Sequence, residues 1–325
     1  MKACVLHAVN DLRYEDVPDP IRKLGEVLIR IKASGICGSD IPRVFEKGTY
    51  HFPTIPGHEF SGEIIEADDK DLIGKKCTVF PLIPCRECPS CETGHYAQCE
   101  SYNYFGSRCD GGFAELISVP LWNVVLAHDD LTYEEIAMTE PCAVALHSLE
   151  KASFRMGGRV CVFGAGPIGI MIGKWAALKG ASDVTLIDVD ASKAAFAKKL
   201  GFQVKPTGKY DIVVEGAGVS ASYESVMAAA KPFGTVVLMG NPTREMTISQ
   251  KGYWEILRKE LTVKGTWNSS YNVGANDWKT ALASMRKLDI SCLVSHRFRL
   301  GECGKAFGLM KERKEFFNKV MFVND

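Results

Sequence analysis

Short apolar runs dominate the first half of the chain. Residues 27–31, 61–65, 77–80 and 113–119 are rich in Val, Ile, Leu and Phe, and clusters of glycine and proline separate them. Runs of this length with such boundaries are typical of β-strands. The pattern therefore predicts a small barrel or sandwich at the start of the chain.

The pattern changes at about residue 133, where helical stretches begin, and strands alternate with helices after Arg159. The predicted strands are residues 160–163, 184–188, 211–215, 235–239 and 261–264, and the predicted helices include 168–179, 191–200 and 221–230. Such alternation is typical of parallel βαβ units, so the fold class is α/β. The segment from residue 292 has a mixed pattern and is expected to rejoin the first domain.

The composition and charge of the chain disfavour several classes of protein. The chain has 325 residues, enough for two domains, and its 39 Lys+Arg balance 39 Asp+Glu. This balance disfavours nucleic acid and anionic membrane as partners. We see neither a signal peptide nor an apolar stretch long enough to span a membrane. Twelve cysteines without an export signal indicate reduced thiols and metal ligands, so we expect a cytoplasmic protein.

Four cysteines lie in a loop rich in Pro, Ser and Gly at about residues 84–100. Their spacing is Cys-x2-Cys-x2-Cys-x7-Cys, with ligand positions Cys85, Cys88, Cys91 and Cys99. Four thiolates around zinc leave no open coordination position, so the pattern predicts a structural zinc site. Two alternatives are free cysteines packed as small apolar side chains and a zinc module that binds nucleic acid.

A glycine-rich motif stands directly after one predicted strand and directly before a helix. Its members are Gly164, Gly166, Pro167, Ile168 and Gly169. In this context Gly-x-Gly-x-x-Gly predicts a dinucleotide site with the pyrophosphate at the helix N-terminus. Asp188 closes the next predicted strand and is expected to bind the adenosine ribose, which favours NAD over NADP. Asp190 is the alternative acid.

A second metal site is suggested by Cys37, in Gly-Ile-Cys-Gly-Ser-Asp, and by His58 and Glu59, in Pro-Gly-His-Glu-Phe. A thiolate, an imidazole and a carboxylate leave one zinc position for water or substrate, as catalytic sites require. From the residues alone, a lone buried cysteine and a lone His-Glu pair are more often structural.

In this order and at these separations, the motifs resemble those of the zinc-dependent medium-chain dehydrogenases over the whole chain. The resemblance implies a GroES-like β-barrel catalytic domain at residues 1–150 and 292–325, with a Rossmann NAD-binding domain at 151–291. It implies two zinc ions per chain, one catalytic and one structural, and a homodimer or homotetramer. Thr139-Glu140-Pro141 resembles the polyol branch, so Glu140 is expected to complete the catalytic zinc sphere, alternating with Glu59. Cys142 is a rival ligand.

The resemblance also implies roles for further residues. Ser39 is expected to take the proton of the substrate hydroxyl. Many relatives have a relay histidine where this chain has Pro42 and Arg43, so the proton is expected to leave through water. The ends of the late strands are expected to hold the nicotinamide half of the cofactor, through Gly240, Thr266, Trp267 and Asn268.

The substrate is expected to be a polyol or polyol phosphate. Ser-Asp-x-Pro-Arg at residues 39–43, together with residues 104–115 and 258–267, resembles a subgroup that oxidises galactitol 1-phosphate to L-tagatose 6-phosphate. Arg43 and Arg108 are candidate phosphate contacts, since a guanidinium matches phosphate oxygens in pairs. Alternatives are a free polyol such as sorbitol or L-iditol, L-threonine, a zinc-free quinone reductase, and a non-enzymatic nucleic-acid-binding module.

Overall fold

The computed structural model describes residues 1–324. Strands in this part of the chain are β1 Lys2–Ala8, β2 Asp11–Asp16, β3 Glu26–Ile36, β4 Glu59–Glu66, β5 Lys76–Val79, β6 Leu82–Ile83, β7 Asn103–Tyr104, β8 Leu116–Pro120, β9 Val124–Leu126, β10 Arg159–Phe163, β11 Asp183–Ile187, β12 Tyr210–Glu215, β13 Ala230–Leu238, β14 Thr262–Gly265, β15 Val294–Phe298 and β16 Lys319–Val323. The helices are α1 Asp40–Pro42, α2 Pro89–Glu92, α3 Tyr133–Ala137, α4 Thr139–Lys151, α5 Pro167–Leu178, α6 Ala191–Lys199, α7 Ser220–Ala229, α8 Gln250–Lys259, α9 Asp277–Leu288 and α10 Cys303–Glu312. No helix within residues 1–324 has the length and apolar character needed to cross a bilayer.

The first compact unit comprises Met1–Glu140 and the chain from Ser270 onward. Its main sheet has the order β15-β16-β3-β4-β5-β9, and β8 also pairs with β3. The long strand β3 is central, and its apolar residues Ile29 and Ile31 are buried in the core. Gly62 permits close pairing of β3 with β4, because a Cβ there would lie 2.2 Å from the Arg30 carbonyl oxygen.

The second compact unit, Pro141–Ser269, is built on a parallel sheet of order β11-β10-β12-β13-β14. The observed strands confirm the predicted parallel βαβ units. Phe163 pairs with Glu215, and Glu215 pairs with Leu238, so the carboxyl ends of β10, β12 and β13 lie at one edge. In open parallel sheets this is the edge where ligands bind.

The division between the units falls at Glu140/Pro141 and at Ser269/Ser270. Both points come earlier than the predicted 150/151 and 291/292. The later difference has a packing reason, because Trp278 of α9 is fully buried in the first unit. Its ring lies 5.5 Å from that of Phe80 and 6.4 Å from that of Tyr271. Aromatic packing of this kind assigns α9 to the first unit.

Candidate metal and cofactor sites

The pairing of β3 with β4 brings the predicted catalytic ligands together. Gly35 pairs with Glu59, so Cys37, just after β3, lies beside His58, just before β4. The ligand atoms of Cys37, His58 and Glu59 all lie within 4.8 Å of one another. Gly35 is needed here, since a Cβ at this position would come 2.3 Å from Glu59 Oε2.

The group has the features of a cation site. His58 is 4% exposed, and its Nδ1 has no hydrogen-bond partner among the described residues. Asp40 Oδ1 lies 3.5 Å from that nitrogen, and fully buried Asp40 also accepts a hydrogen bond from Cys37 N at 3.0 Å. Burial, followed by the charge of Glu59, raises the pKa of Cys37 to about 11. A cation among these donors would stabilise the thiolate, so the residues fit a zinc ion.

Lys319 holds the Glu59 carboxylate from the far end of the chain. Its Nζ donates to Glu59 Oε2 at 2.5 Å, and the two side chains are 4% and 1% exposed. Burial lowers the pKa of Lys319, but Glu59 and Cys37 together raise it above its ordinary value. Glu59 therefore has a buried cationic partner already.

Glu140 approaches the same group from the start of α4. It is 7% exposed, and Tyr104 Oη donates to its Oε1 at 3.4 Å. Burial raises the pKa of Glu140 to about 8, against the opposing effect of His58. Glu140 stands outside the compact group of three, so its place in the metal sphere stays a prediction. Cys142 lies in the second unit, where its carbonyl oxygen accepts from Trp175 Nε1 at 3.1 Å.

Ser39 and Arg43 are in direct contact beside Cys37. Arg43 Nη1 donates to Ser39 Oγ at 3.2 Å and to Asp40 Oδ1 at 3.0 Å. The Arg43 side chain is 24% exposed, and Asp40 partly neutralises its charge. Within the protein, the Arg43 guanidinium is therefore already paired with the Ser39 hydroxyl and the Asp40 carboxylate.

Arg108 is held differently. Its guanidinium lies 4.1 Å from the Tyr50 ring centroid and 4.6 Å from that of Tyr102. Stacking covers the flat faces and leaves the N–H edges for hydrogen bonds. Within residues 1–324 no carboxylate forms an ion pair with Arg108. The Tyr102 ring lies 6.4 Å from that of Tyr104, which lies 5.7 Å from the His58 ring.

The four cysteines of the predicted structural site converge around α2. All four sulfurs lie within 4.8 Å of one another, with Cys85 Sγ at 3.9 Å from Cys91 Sγ and 3.5 Å from Cys99 Sγ. Sulfurs bound at about 2.3 Å in a tetrahedron are about 3.8 Å apart, which these distances match. The backbone N–H of Glu87 contributes most to lowering the pKa of Cys85 to about 6. The set of Cys85, Cys88, Cys91 and Cys99 fits a closed zinc site.

The glycine-rich loop forms the turn from β10 into α5. Gly164 has φ +113°, in the region that favours glycine, and a Cβ at Gly169 would lie 1.9 Å from the Gly164 carbonyl oxygen. A Cβ at Gly166 would meet nothing within 4 Å, so the backbone there is open to a ligand. Pro167 and Ile168 begin α5. The loop fits the pyrophosphate of a dinucleotide.

Asp188 follows β11 and supports this loop. Its Oδ2 accepts from Ala165 N at 2.7 Å, and its Oδ1 accepts from Asp190 N at 2.9 Å. Each oxygen keeps a lone pair for a ribose hydroxyl. Asp190 caps α6, accepting from Ser192 N at 2.8 Å, so it already has a structural role.

The late-strand candidates have different environments. Thr266 N donates to Leu238 O at 3.1 Å, and Thr266 Oγ1 is buried without a partner among the described residues. Trp267 is 49% exposed, and Asn268 has φ +53°. Gly240 packs closely against Gly218, since a Cβ on Gly240 would lie 2.3 Å from the Gly218 nitrogen. An unpartnered buried hydroxyl at a strand end is compatible with a ligand contact.

The sequence analysis missed Asp40, Tyr104 and Lys319. Asp40 stands within the Cys-Gly-Ser-Asp run, and its proximity to Cys37 was the available signal. Lys319 opens the otherwise apolar strand β16, where a buried lysine needs a partner. For Tyr104, in the two-residue strand β7, we find no distinguishing signal.

Comparisons with known proteins identify the family of the chain. A family model described as alcohol dehydrogenase GroES-like domain matches residues 23–129, and one described as zinc-binding dehydrogenase matches residues 167–287. Galactitol 1-phosphate 5-dehydrogenase of Escherichia coli K12 is 36% identical over 305 residues, covering 87% of this chain and 88% of that protein. Sorbitol dehydrogenase of Bombyx mori is 30% identical over 343 residues, covering 95% of each. The crystal structure of galactitol-1-phosphate dehydrogenase from Escherichia coli matches with a TM-score of 0.93 at 33% identity, covering 100% of both chains.

The chain therefore belongs to the zinc-binding alcohol dehydrogenases with a GroES-like domain. Within that family it is a polyol-dehydrogenase type of protein, similar to enzymes for phosphorylated and free polyols. The resemblance inferred from the sequence and the predicted fold class are both confirmed.

Proposed function

We propose that the protein catalyses the zinc-dependent, NAD-linked oxidation of a polyol phosphate, with galactitol 1-phosphate as substrate and L-tagatose 6-phosphate as product. The buried group of Cys37, His58 and Glu59, whose ligand atoms all lie within 4.8 Å of one another, carries the proposal for the reaction. Similarity to galactitol 1-phosphate 5-dehydrogenase supports the choice of substrate. Glu140 is proposed to exchange places with Glu59, so that one carboxylate binds zinc while the other holds a zinc-bound water.

Zinc in this group would act as a Lewis acid that lowers the pKa of a bound alcohol. Ser39 would then accept the proton of the substrate hydroxyl at its Oγ. Arg43 donates to that same oxygen and holds the serine beside Cys37. With Pro42 and Arg43 in place of a relay histidine, the proton passes from Ser39 to water. NAD, when bound, would supply the acceptor for the hydride that leaves the substrate carbon carrying the hydroxyl.

The cofactor site is proposed to take NAD in preference to NADP. Gly164, Gly166 and Gly169 give the pyrophosphate access to backbone N–H groups, and Asp188 binds the ribose hydroxyls. A carboxylate at this position repels a 2′-phosphate. Gly240, Thr266, Trp267 and Asn268 are proposed for the nicotinamide half, and the unpartnered Thr266 hydroxyl supports this assignment best.

The substrate phosphate is proposed to bind an arginine, and the contacts favour Arg108 over Arg43. Arg43 already donates to Asp40 and Ser39, whereas in Arg108 only the flat faces of the guanidinium are covered, by two tyrosine rings. Two faces fixed by tyrosine rings reduce the entropy lost when the guanidinium binds an anion.

The test variant is Arg108→Ala. The matched control is Arg258→Ala, because the Arg258 guanidinium also stacks on an aromatic ring, 4.4 Å from the centroid of Trp254. Losing a charge-assisted bidentate contact of about 1.5–3 kcal/mol should lower kcat/KM for galactitol 1-phosphate about 10- to 100-fold. Rates on free galactitol should stay the same, and Arg258→Ala should change neither. Equal losses of Arg108→Ala on both substrates would remove the phosphate contact from the proposal.

A second candidate function is the oxidation of a free polyol such as sorbitol or L-iditol, which the similarity to sorbitol dehydrogenase favours. L-Threonine is a further alternative in the same family. Initial rates of NAD reduction across these substrates separate the candidates. Higher kcat/KM for galactitol 1-phosphate than for every unphosphorylated compound supports the proposal, and the reverse order would assign the enzyme to free polyols.

We further propose a cytoplasmic homodimer or homotetramer. None of the twelve cysteines forms a disulfide within the described residues, as expected in a reducing compartment. Strand β14 is an edge strand of the parallel sheet, and such edges can pair with a second copy. Sedimentation analysis should give two or four times the mass of the chain. A monomer at micromolar concentration would contradict this.

A further inference from the structure

A buried carboxylate stands at the ligand-binding edge of the parallel sheet without an assigned role. Glu215 is the last residue of β12 and is 2% exposed. Its Oε1 accepts three hydrogen bonds, from Ala217 N at 2.9 Å, Gly218 N at 2.8 Å and Ser222 Oγ at 2.5 Å. These donors are neutral groups, so they satisfy the carboxylate and leave its charge in place.

Glu215 connects two neighbouring loops at this edge. Its side chain orders the residues that follow β12, and its carbonyl oxygen accepts from Met239 N and Gly240 N, both at 2.9 Å. Gly240 is required by this arrangement, because a Cβ there would lie 2.5 Å from Glu215 Oε2. The loops after β12 and β13 are therefore held together by one side chain and its own backbone.

The same segment touches the glycine-rich loop. A Cβ on Gly164 would lie 3.3 Å from the carbonyl carbon of Gly216, and Gly216 N donates to Phe163 O at 2.8 Å. In a doubly wound sheet the first two strands hold the adenosine half of a dinucleotide, and the strands on the other side of the switch point hold the nicotinamide half. Glu215 ends β12, which lies on the other side of β10 from β11 and therefore on the nicotinamide side.

We propose that Glu215 is a positioning residue for the nicotinamide half of the cofactor and that its charge favours NAD⁺ over NADH. The inference rests on the proposed use of NAD. Ordering of the two loops affects both coenzyme forms equally. The negative charge does not, because the nicotinamide ring is cationic in NAD⁺ and neutral in NADH. The site thereby stabilises the form that oxidises an alcohol.

Binding constants separate these two effects. Glu215→Gln keeps the shape and the acceptor oxygen but removes the charge, and Ser222→Ala removes one donor and keeps the charge. A unit charge acting over about 12–25 Å through a protein interior of effective dielectric ~20 shifts such an equilibrium by about three- to tenfold. We expect Glu215→Gln to raise Kd(NAD⁺)/Kd(NADH) by this factor. We expect Ser222→Ala to weaken both forms and leave the ratio unchanged.

The matched control is Asp211→Asn, at the opposite end of the same strand. Asp211 accepts from Lys231 Nζ at 2.8 Å and from Arg159 N at 2.8 Å, so its loss should cost stability without affecting the coenzyme ratio. Kd(NADH) is measured by the fluorescence of the bound coenzyme, and Kd(NAD⁺) is measured by competition with NADH. The thermal unfolding midpoint is also measured for each variant.

If Glu215→Gln leaves Kd(NAD⁺)/Kd(NADH) unchanged, the proposal is overturned and Glu215 has only a structural role. If Asp211→Asn changes this ratio as much as Glu215→Gln does, the proposal is also overturned. If Glu215→Gln does not fold, Glu215→Asp, which keeps the charge, must retain the wild-type ratio while weakening both forms. A changed ratio in that variant overturns the proposal. A wild-type protein that binds neither coenzyme would instead refute the proposed function, which keeps the two failures distinct.

Discussion

In protein stripped of metal, replacing Lys319 by methionine should destabilise the first unit strongly, because it leaves the Glu59 carboxylate buried without a cationic partner. The two groups are 2.5 Å apart, and both side chains are at most 4% exposed. Removing one member of a buried ion pair costs about 3–5 kcal/mol, since the remaining charge cannot be hydrated. For a unit of roughly 200 residues, this lowers the unfolding midpoint by about 6–20 °C.

The assay is urea unfolding followed by circular dichroism, with two control variants. Lys314→Met breaks a pair with Glu312 in which the two side chains are 80% and 55% exposed, so its effect on stability should be small. The double variant Lys319→Met/Glu59→Leu replaces the pair by apolar groups and should recover most of the lost stability. A cost below about 1 kcal/mol for Lys319→Met, or no recovery in the double variant, would refute the assignment of a buried, mutually compensating pair.

Three further predictions concern the candidate ligands. Cys37→Ala should abolish turnover and lower bound zinc from two ions per chain to one, with little change in the unfolding midpoint. Measurable turnover after this change would contradict the role of Cys37. Cys88→Ala should also remove one zinc but chiefly lower thermal stability, since structural zinc contributes folding free energy; an unchanged midpoint would argue against the structural site. Asp188→Ser should narrow or reverse the preference for NAD, measured as the ratio of kcat/KM values, and a wild type that uses NADP equally well would contradict the assignment.

Features carried by neighbouring residues could be predicted from the sequence. The four cysteines lie within one short segment, so their spacing alone predicted the convergence of their sulfurs around α2. The glycine-rich loop was equally accessible, because the turn, Gly164 and Gly169 belong to one strand-helix connection. The βαβ alternation placed this loop at the edge of the sheet where ligands bind.

Features that depend on distant pairing could not be predicted. Lys319 and Glu59 are separated by 260 residues, and they meet only because β16 pairs with β3 and β3 pairs with β4. One local contact also escaped prediction, because spacing does not show which side chains pair: Asp40 and Ser39 accept hydrogen bonds from Arg43, whose contact with the substrate phosphate stays a prediction. The helical pattern of α9 gave no information about which unit would bury Trp278.

The most direct test of the account is the zinc dependence of NAD reduction with galactitol 1-phosphate. Protein stripped of metal by a chelator should show no turnover, and stepwise addition of zinc should restore NADH formation as the metal content rises to two ions per chain. Cys37→Ala, treated in the same way, should stay inactive while its structural site refills. Full activity in metal-free protein, or no reduction of NAD with any polyol or polyol phosphate after zinc is restored, would contradict the account.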